Sequence, residues 1–303
     1  MQLDFISARG DILPLVNNKY FIISNIDGMT AATTSISSNV VGGFDGDIVN
    51  NIQAQPRSIV IDLRISPTVD VEEAKREILR VIKLKQYGAL LWTLNDRTVT
   101  ISGLVESVDM PRWNNSVVMQ ISLYCDSPFW EDVDFVISQI RESVDLHYFT
   151  DNAADMLYFP FEGVPFGEYD TLRSKSFYNA GDVAVGLEIT IVALNTVTNP
   201  IIYDQYGNFF GLGYTTESAI TNPNIGSAWT SKPFIMQAGD TVVITTHKGN
   251  KTVKYNGQSV YDFIKPNSTW LQLEAGDNNF AINSDEESIS NMHFNISYKQ
   301  RYI

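Results

Sequence analysis

The sequence predicts a mainly β protein of two β-sandwich domains, the first of which carries a single α-helix. Three observations lead there. The residues are rich in Val, Ile, Thr, Ser, Asn, Phe and Tyr, which suit pleated strands and their turns. Short alternating runs recur between turn signals, and only one segment has a helical period with a cap. At 303 residues the chain suits two domains of ~100–150 residues. Apolar residues make up 44% and charged ones 18%, so there is material for two cores and no signature of disorder.

Residues 20–26, YFIISNI, open the first strand, and 31–41 and 56–66 follow. In the last of these, Ile59, Ile61, Leu63 and Ile65 alternate with Ser58, Val60, Asp62 and Arg64, giving one apolar face and one largely polar face. Between them GGFDGDIVNN, residues 42–51, reads as an extended exposed loop because its glycines and aspartates disfavour regular pairing. The helix is expected over residues 70–86. Asp70 and Glu73 stand at the N-cap and third position of a capping-box-like start, and Val71, Ala74, Ile78 and Ile82 repeat at helical spacing. Gly88 is expected to stop it.

Strands at 90–94, 98–107 and 116–124 follow, with turns at 95–97 and 111–115. DSPFWEDVD, residues 126–134, sets a proline and several carboxylates around Phe129 and Trp130 and marks a connector, so the domains are drawn at 1–134 and 135–303. Residues 135–180 are aromatic and turn-rich, with Pro160, Gly163, Pro165 and Gly167. From Gly186 onward short strands are expected at 187–193, 201–203, 241–246, 252–255, 271–273, 279–282 and 292–298. His247 to Asn250 supply a hairpin turn by residue type.

The formal net charge is −14, from 21 basic and 35 acidic residues, and both halves are acidic. Gripping nucleic acid needs clustered Lys and Arg. The one such cluster, residues 75–85, is interleaved with Glu72, Glu73 and Glu77 and reads as a solvated helix face. The lone cysteine, Cys125, reads as a buried thiol and can form no intrachain disulfide. Asp4 and Arg9 interrupt the N-terminus where a signal peptide would be apolar, and no run approaches the ~18 apolar residues of a membrane span. The expectation is a soluble chain without membrane insertion.

Signals for catalysis are weak. His147, His247 and His293 each lack a second His or Cys at ligand spacing, so no metal site is expected. There is no G-x-S-x-G elbow and no phosphate-binding glycine loop, since Gly207, Gly211 and Gly213 lie among strand-forming aromatics, so no cofactor is expected either. Glu162, Glu168 and Asp170 offer the two acids that glycoside hydrolysis needs, but with 35 acids in the chain such proximity arises by chance. Trp229 and Trp270 could stack on sugars. Trp270, beside Leu271 and Leu273, reads rather as a core anchor, and Trp229, in a Ser- and Thr-rich loop, stays open as a peripheral contact.

A succession in the second half resembles the C-terminal domain of the distal tail proteins of long-tailed bacteriophages. It runs from Asn179-Ala180-Gly181-Asp182 into Gly186-Leu187-Glu188-Ile189-Thr190-Ile191, then Asn199-Pro200-Ile201-Ile202 and Tyr206-Gly207-Asn208. Ala238-Gly239-Asp240-Thr241-Val242-Val243-Ile244 comes next, and Trp270-Leu271-Gln272-Leu273 leads into Gly276-Asp277-Asn278-Asn279-Phe280. The first half resembles that family in its one-helix sandwich ending in Tyr124-Cys125-Asp126-Ser127-Pro128-Phe129-Trp130.

The resemblance implies a non-enzymatic structural protein of the virion tail tip, assembled in the host cytoplasm. Its N-terminal domains would close a hexameric ring, and its C-terminal domains, galectin-like or carbohydrate-module-like, would lie at the periphery. The implied partners are other copies of the chain, the tail tube protein, a central tail hub or fibre protein and receptor-binding proteins. Genomic DNA would pass without specific binding, and a wall as acidic as this chain would repel phosphates within ~8 Å at physiological salt. Asp45 and Asp47, on the glycine-rich loop, are candidates for the lumen wall or a ring interface; the plainer reading makes them solvated loop charges. The alternative function is a carbohydrate-binding protein acting through the C-terminal sandwich.

Overall fold

The computed structural model describes residues 2–30, 32–40, 42–43, 45–95, 97–110, 117–140, 174–214, 231–285 and 292–303. Two units emerge: residues 1–134 together with 299–303, and residues 135–298.

The first unit opens with strands β1 (Gln2–Ser7) and β2 (Ile12–Pro14), which the sequence reading did not mark, followed by β3 (Phe21–Asp27), β4 (Thr34–Val40), β5 (Asp47–Ala54) and β6 (Arg57–Ile65), of which β3, β4 and β6 fall on the expected runs. Helix α1 (Val71–Val81) follows, then β7 (Tyr87–Leu94), β8 (Arg97–Asp109), β9 (Val118–Cys125) and β10 (Trp130–Asp132). An antiparallel sheet runs β2-β1-β7-β8-β9-β6-β3, and β10 pairs with the early part of β8. Leu3, Phe5, Phe21, Ile59, Ile61, Leu63, Leu90, Ile101, Ile121 and Leu123 project from one face into a single cluster with Ala74, Ile78 and Val81 of the helix. Residues from both ends of the sheet share that cluster, so the sheet closes over its own apolar face with the helix as its plug.

Helix α1 starts where the cap predicts, with the Glu73 N–H donating to the Asp70 carboxylate at 3.2 Å. It ends at Val81 rather than residue 86. Ile82 is extended and buried, Lys85 takes a left-handed φ of 61°, and the sheet claims the backbone beyond. The Lys85 N–H donates to the Val105 carbonyl at 3.1 Å, and the Val105 N–H donates to the Gln86 carbonyl at 3.0 Å. Gly88 is therefore not a helix stop. It lies in β7 opposite Ser7, and a Cβ there would stand 2.2 Å from Cζ of the buried Phe5 ring.

The loop expected at 42–51 is shorter than the sequence suggested, because β5 begins at Asp47 and pairs with β4. Ile48, Val49 and Ile52 are β-branched, and their preference for extended backbone outweighs the neighbouring Asn50 and Asn51. The turn read at 111–115 lies outside the described residues.

The second unit holds β11 (Val136–Ile140), β12 (Ser174–Asn179), β13 (Val185–Gly186), β14 (Glu188–Ala193), β15 (Val197–Thr198), β16 (Ile201–Tyr203) and β17 (Phe209–Gly211). Then come β18 (Ile235–Met236), β19 (Thr241–His247), β20 (Asn250–Tyr255), β21 (Gln258–Ser259), β22 (Gln272–Leu273), β23 (Gly276–Asn283) and β24 (Met292–Tyr298). Most of the aromatic stretch 135–180 lies outside the described residues. A sheet ordered β11-β24-β14-β19-β20-β21 and one ordered β12-β23-β16-β17 share one core. Ile189, Ile244, Val253, Phe294 and Ile296 come from the first and Phe177, Ile202, Phe210, Phe280 and Ile282 from the second. This is the sandwich expected from the sequence. The β19–β20 hairpin turns at Lys248-Gly249, with Gly249 at φ 79°. At the corner before β19, the Asp240 carboxylate accepts from the Tyr255 hydroxyl, the Gln237 N–H and the Asn256 amide at 2.5, 2.7 and 2.8 Å.

The last residues, assigned from the sequence to the second domain, belong to the first unit. Strand Arg301–Tyr302 pairs with β10. Arg301 forms an ion pair with Glu131 at 2.6 Å, and the Tyr302 hydroxyl donates to Asp132 at 2.9 Å. The Arg97 guanidinium lies 3.2 Å from the centre of the Tyr302 ring. Two residues at the very end carry too little pattern for this to be read from sequence.

Gly88→Ala should cost ~1–3 kcal/mol by overpacking against Phe5, visible as a lower urea midpoint with an unchanged slope. Hydrogen bonds, the Tyr255 hydroxyl first, hold the Asp240 carboxyl below its ordinary value. Its contribution is therefore complete above the unfolded value of ~3.9 and is lost as pH falls through the lower folded value. Acid melts of the wild type and Asp240→Asn check this: the variant should be less stable at neutral pH and flatter on the acid limb.

Candidate functional site

Strands β4 and β5 form a two-stranded sheet that no third strand joins among the described residues. Thr34 pairs with Ala54, Ile36 with Ile52, Ser38 with Val49 and Val40 with Asp47, and the register shifts by one residue at Asn50. Strand alternation across that bulge puts Ile36, Val40, Val49 and Ile52 on one face, while Ser35, Ser37, Asn39, Asn51 and Gln53 occupy the other with Ile48. The four apolar side chains of the first face are between 51% and 80% exposed. A lone two-stranded hairpin is marginally stable in water, and one with an apolar stripe and two open edges offers strand pairing and apolar burial to another surface.

The root of the hairpin is fixed. The Gln55 N–H donates to the Thr33 carbonyl at 2.8 Å, and the buried Arg57 guanidinium donates to the Gly28 and Met29 carbonyls at 3.4 and 3.2 Å. Gly28 has φ 82°, and a Cβ there would stand 2.1 Å from the Ser58 carbonyl oxygen, so only glycine lets the chain pass. Burial lowers the Arg57 pKa, and burial pushes the neighbouring Cys125 thiol up to about 11. Cys125 is thus an unreactive core residue, as expected from the sequence.

Asp45 and Asp47 come together at the tip end of this hairpin, both exposed. Asp47 lies on the apolar face, where its carboxylate accepts from the Ser38 hydroxyl at 2.9 Å. Trp229 lies outside the described residues, as do His147, Glu162, Glu168 and Asp170. Trp270 is half-buried against the second core, its ring centre 4.9 Å from that of Phe210, as a core anchor should be. On the helix, Arg80 pairs with Glu77 at 2.9 Å on an exposed face. Among the described residues no group of three or more His, Cys, Asp or Glu could hold a metal ion, and no helix is long and apolar enough to cross a membrane. Sequence reasoning missed the apolar stripe, although Ile36, Val40, Val49 and Ile52 were its signal.

The structure thus comprises two β units, the first of which carries an amphipathic hairpin that is exposed among the described residues. Residues 214–302 match the family described as siphovirus-type tail component, C-terminal domain. Over 99% of its length the chain is similar in fold to 99% of the SPP1 Dit protein, whose structure is described as a paradigm of the hub adsorption apparatus in phages infecting Gram-positive hosts. The TM-score is 0.66 at 12% identity. A chain of the phage P2 baseplate in its calcium-activated conformation aligns over 99% of this chain and 97% of its own, with a TM-score of 0.47 and 11% identity. No curated protein matches. The resemblance to distal tail proteins read from the sequence is borne out by the C-terminal match and the shared whole-chain fold.

Proposed function

We propose that this chain is a structural hub protein of a phage tail tip, closing with other copies into a ring that joins the tail tube to the adsorption apparatus. The observation that carries the reading is the uncovered β4–β5 hairpin, which a neighbouring copy would bury. The tail-component match in the second half supports the same class. In this reading the first unit forms a six-membered ring and the second lies at its periphery, where receptor-binding proteins attach. The tail tube protein and a central hub or fibre protein contact the ring, which is assembled in the host cytoplasm and works in the virion. No catalytic step is part of this role.

Asp47, bonded to Ser38 on the apolar face, enters the interface between copies, and Asp45 lies at its margin toward the lumen. A net charge of −14 per chain keeps DNA from adhering to the wall.

The test compares wild type with Ile36→Asp and Ile52→Asp by light scattering and negative-stain imaging. Wild type should give six-fold rings of the 34.0 kDa chain. Each variant should remain a single copy, with a melting curve within ~0.5 kcal/mol of wild type because both positions are exposed. Variants that assemble as wild type does would remove the hairpin from the interface.

A further inference from the structure

The second unit contains a recess of about 190 Å³ between the turn at 204–208 and the segment 269–280. The buried Leu271 and Phe280 line it together with the half-buried Trp270 and the exposed Tyr206. Its charge is one-sided: Asp204 and Glu274 contribute two carboxylates, and among the described residues no Lys, Arg or His lines it. Lys251 stands outside the lining with its ammonium 5.7 Å from the centre of the Trp270 ring, so that ring already holds a cation of the chain's own. Tyr206, 70% exposed, keeps an open ring.

Hydrogen bonds within the walls hold the shape. The Asp204 carboxylate accepts from the Tyr206 and Asn208 N–H groups and from the Asn208 amide, each at 2.8 Å. The Asn278 side chain accepts from the Glu274 N–H at 2.9 Å and donates to the Glu274 and Gly276 carbonyls at 2.8 and 2.9 Å. Gln205 joins the two walls by accepting from the Asn279 N–H at 3.2 Å. These bonds leave a set of acceptors over. The Glu274 carboxylate, the Gln272 and Asn279 side chains and the Tyr206 hydroxyl make no hydrogen bond or ion pair among the described residues.

Two carboxylates sharing one small recess repel each other and any anion, and a cation entering between them relieves that repulsion. We propose that the recess binds a primary ammonium on a short alkyl stem, as carried by a lysine side chain or a free alkylamine. Such a group has three N–H donors and no acceptor, which matches a rim of unengaged acceptors. Glu274 takes the ammonium directly, Asp204 adds its charge, and the Tyr206 ring offers a face within the ~6 Å over which a cation is attracted. The stem lies against Leu271 and Phe280, in the manner of the apolar part of a lysine. A volume below the ~300–1,000 Å³ of sites for larger ligands admits a head group and stem and little more. The recess belongs to one chain, so the proposal does not depend on ring formation.

Saturation-transfer NMR on the full-length protein tests it, with n-butylamine and Nα-acetyl-lysine methylamide as ammonium probes. Their uncharged counterparts are n-butanol and the Nε-acetylated lysine derivative, and choline serves as a cation without N–H donors. Both amines should show transfer, the uncharged compounds none, and choline less than either amine. Raising the salt from about 0.05 to about 0.5 M should weaken amine binding severalfold. Glu274→Gln should weaken it about tenfold and Tyr206→Leu about two- to fivefold; both positions are exposed, so circular dichroism should not change. Tighter binding of the lysine derivative than of butylamine would support a polypeptide source, and equal binding a free amine. No transfer from either amine, equal transfer from the uncharged compounds, tighter binding of choline, indifference to salt, or undiminished binding by Glu274→Gln would each overturn the proposal.

Discussion

A pleated strand shows two faces, and wherever one is apolar something must cover it. Most of this structure follows from that constraint. In the first unit nine strands close over their shared face with a three-turn helix as the plug, and in the second two sheets cover each other. The notch at Gly88 exists because Phe5 must lie flat in the first core, and Gly28 is needed because the chain must pass Ser58 to reach the hairpin. Among the described residues, the β4–β5 hairpin departs furthest from the rule, with four apolar side chains of one face left in water.

The two units thus differ in kind. Among the described residues the second covers most of its apolar side chains between its own two sheets. The first carries an unmet requirement on a hairpin whose root is pinned by Arg57. A firm root fixes the direction in which the uncovered arm points. A net charge of −14 adds long-range repulsion between like copies of the chain.

Strand alternation made β6, β9 and β24 legible, because each buries every second residue. The cap made the start of the helix legible, since Asp70 bonds Glu73 as its spacing required. The helix end was not, because Ile82 is apolar at helical spacing and only the sheet bonds of Lys85 and Gln86 reveal that it has left the helix. Glycines and aspartates at 42–47 masked the start of β5, whose β-branched residues are interrupted by Asn50 and Asn51. The setting of Trp270 was half legible. Trp270 was rightly read as a core anchor, but the sheet it packs on is closed by pairing of β16 with β23, which links residues 78 to 82 positions apart. No local pattern announces such a meeting.

Glu131 pairs with Arg301, so the chain leaves the first unit and returns to it through one antiparallel strand pair. Topologically, residues 135–298 are an insertion into the connection of a β-hairpin. A module grafted in this way can be exchanged or lost without cutting the host sheet, whose strands resume register on the far side. The strand pairing of the first unit is therefore complete without residues 135–298.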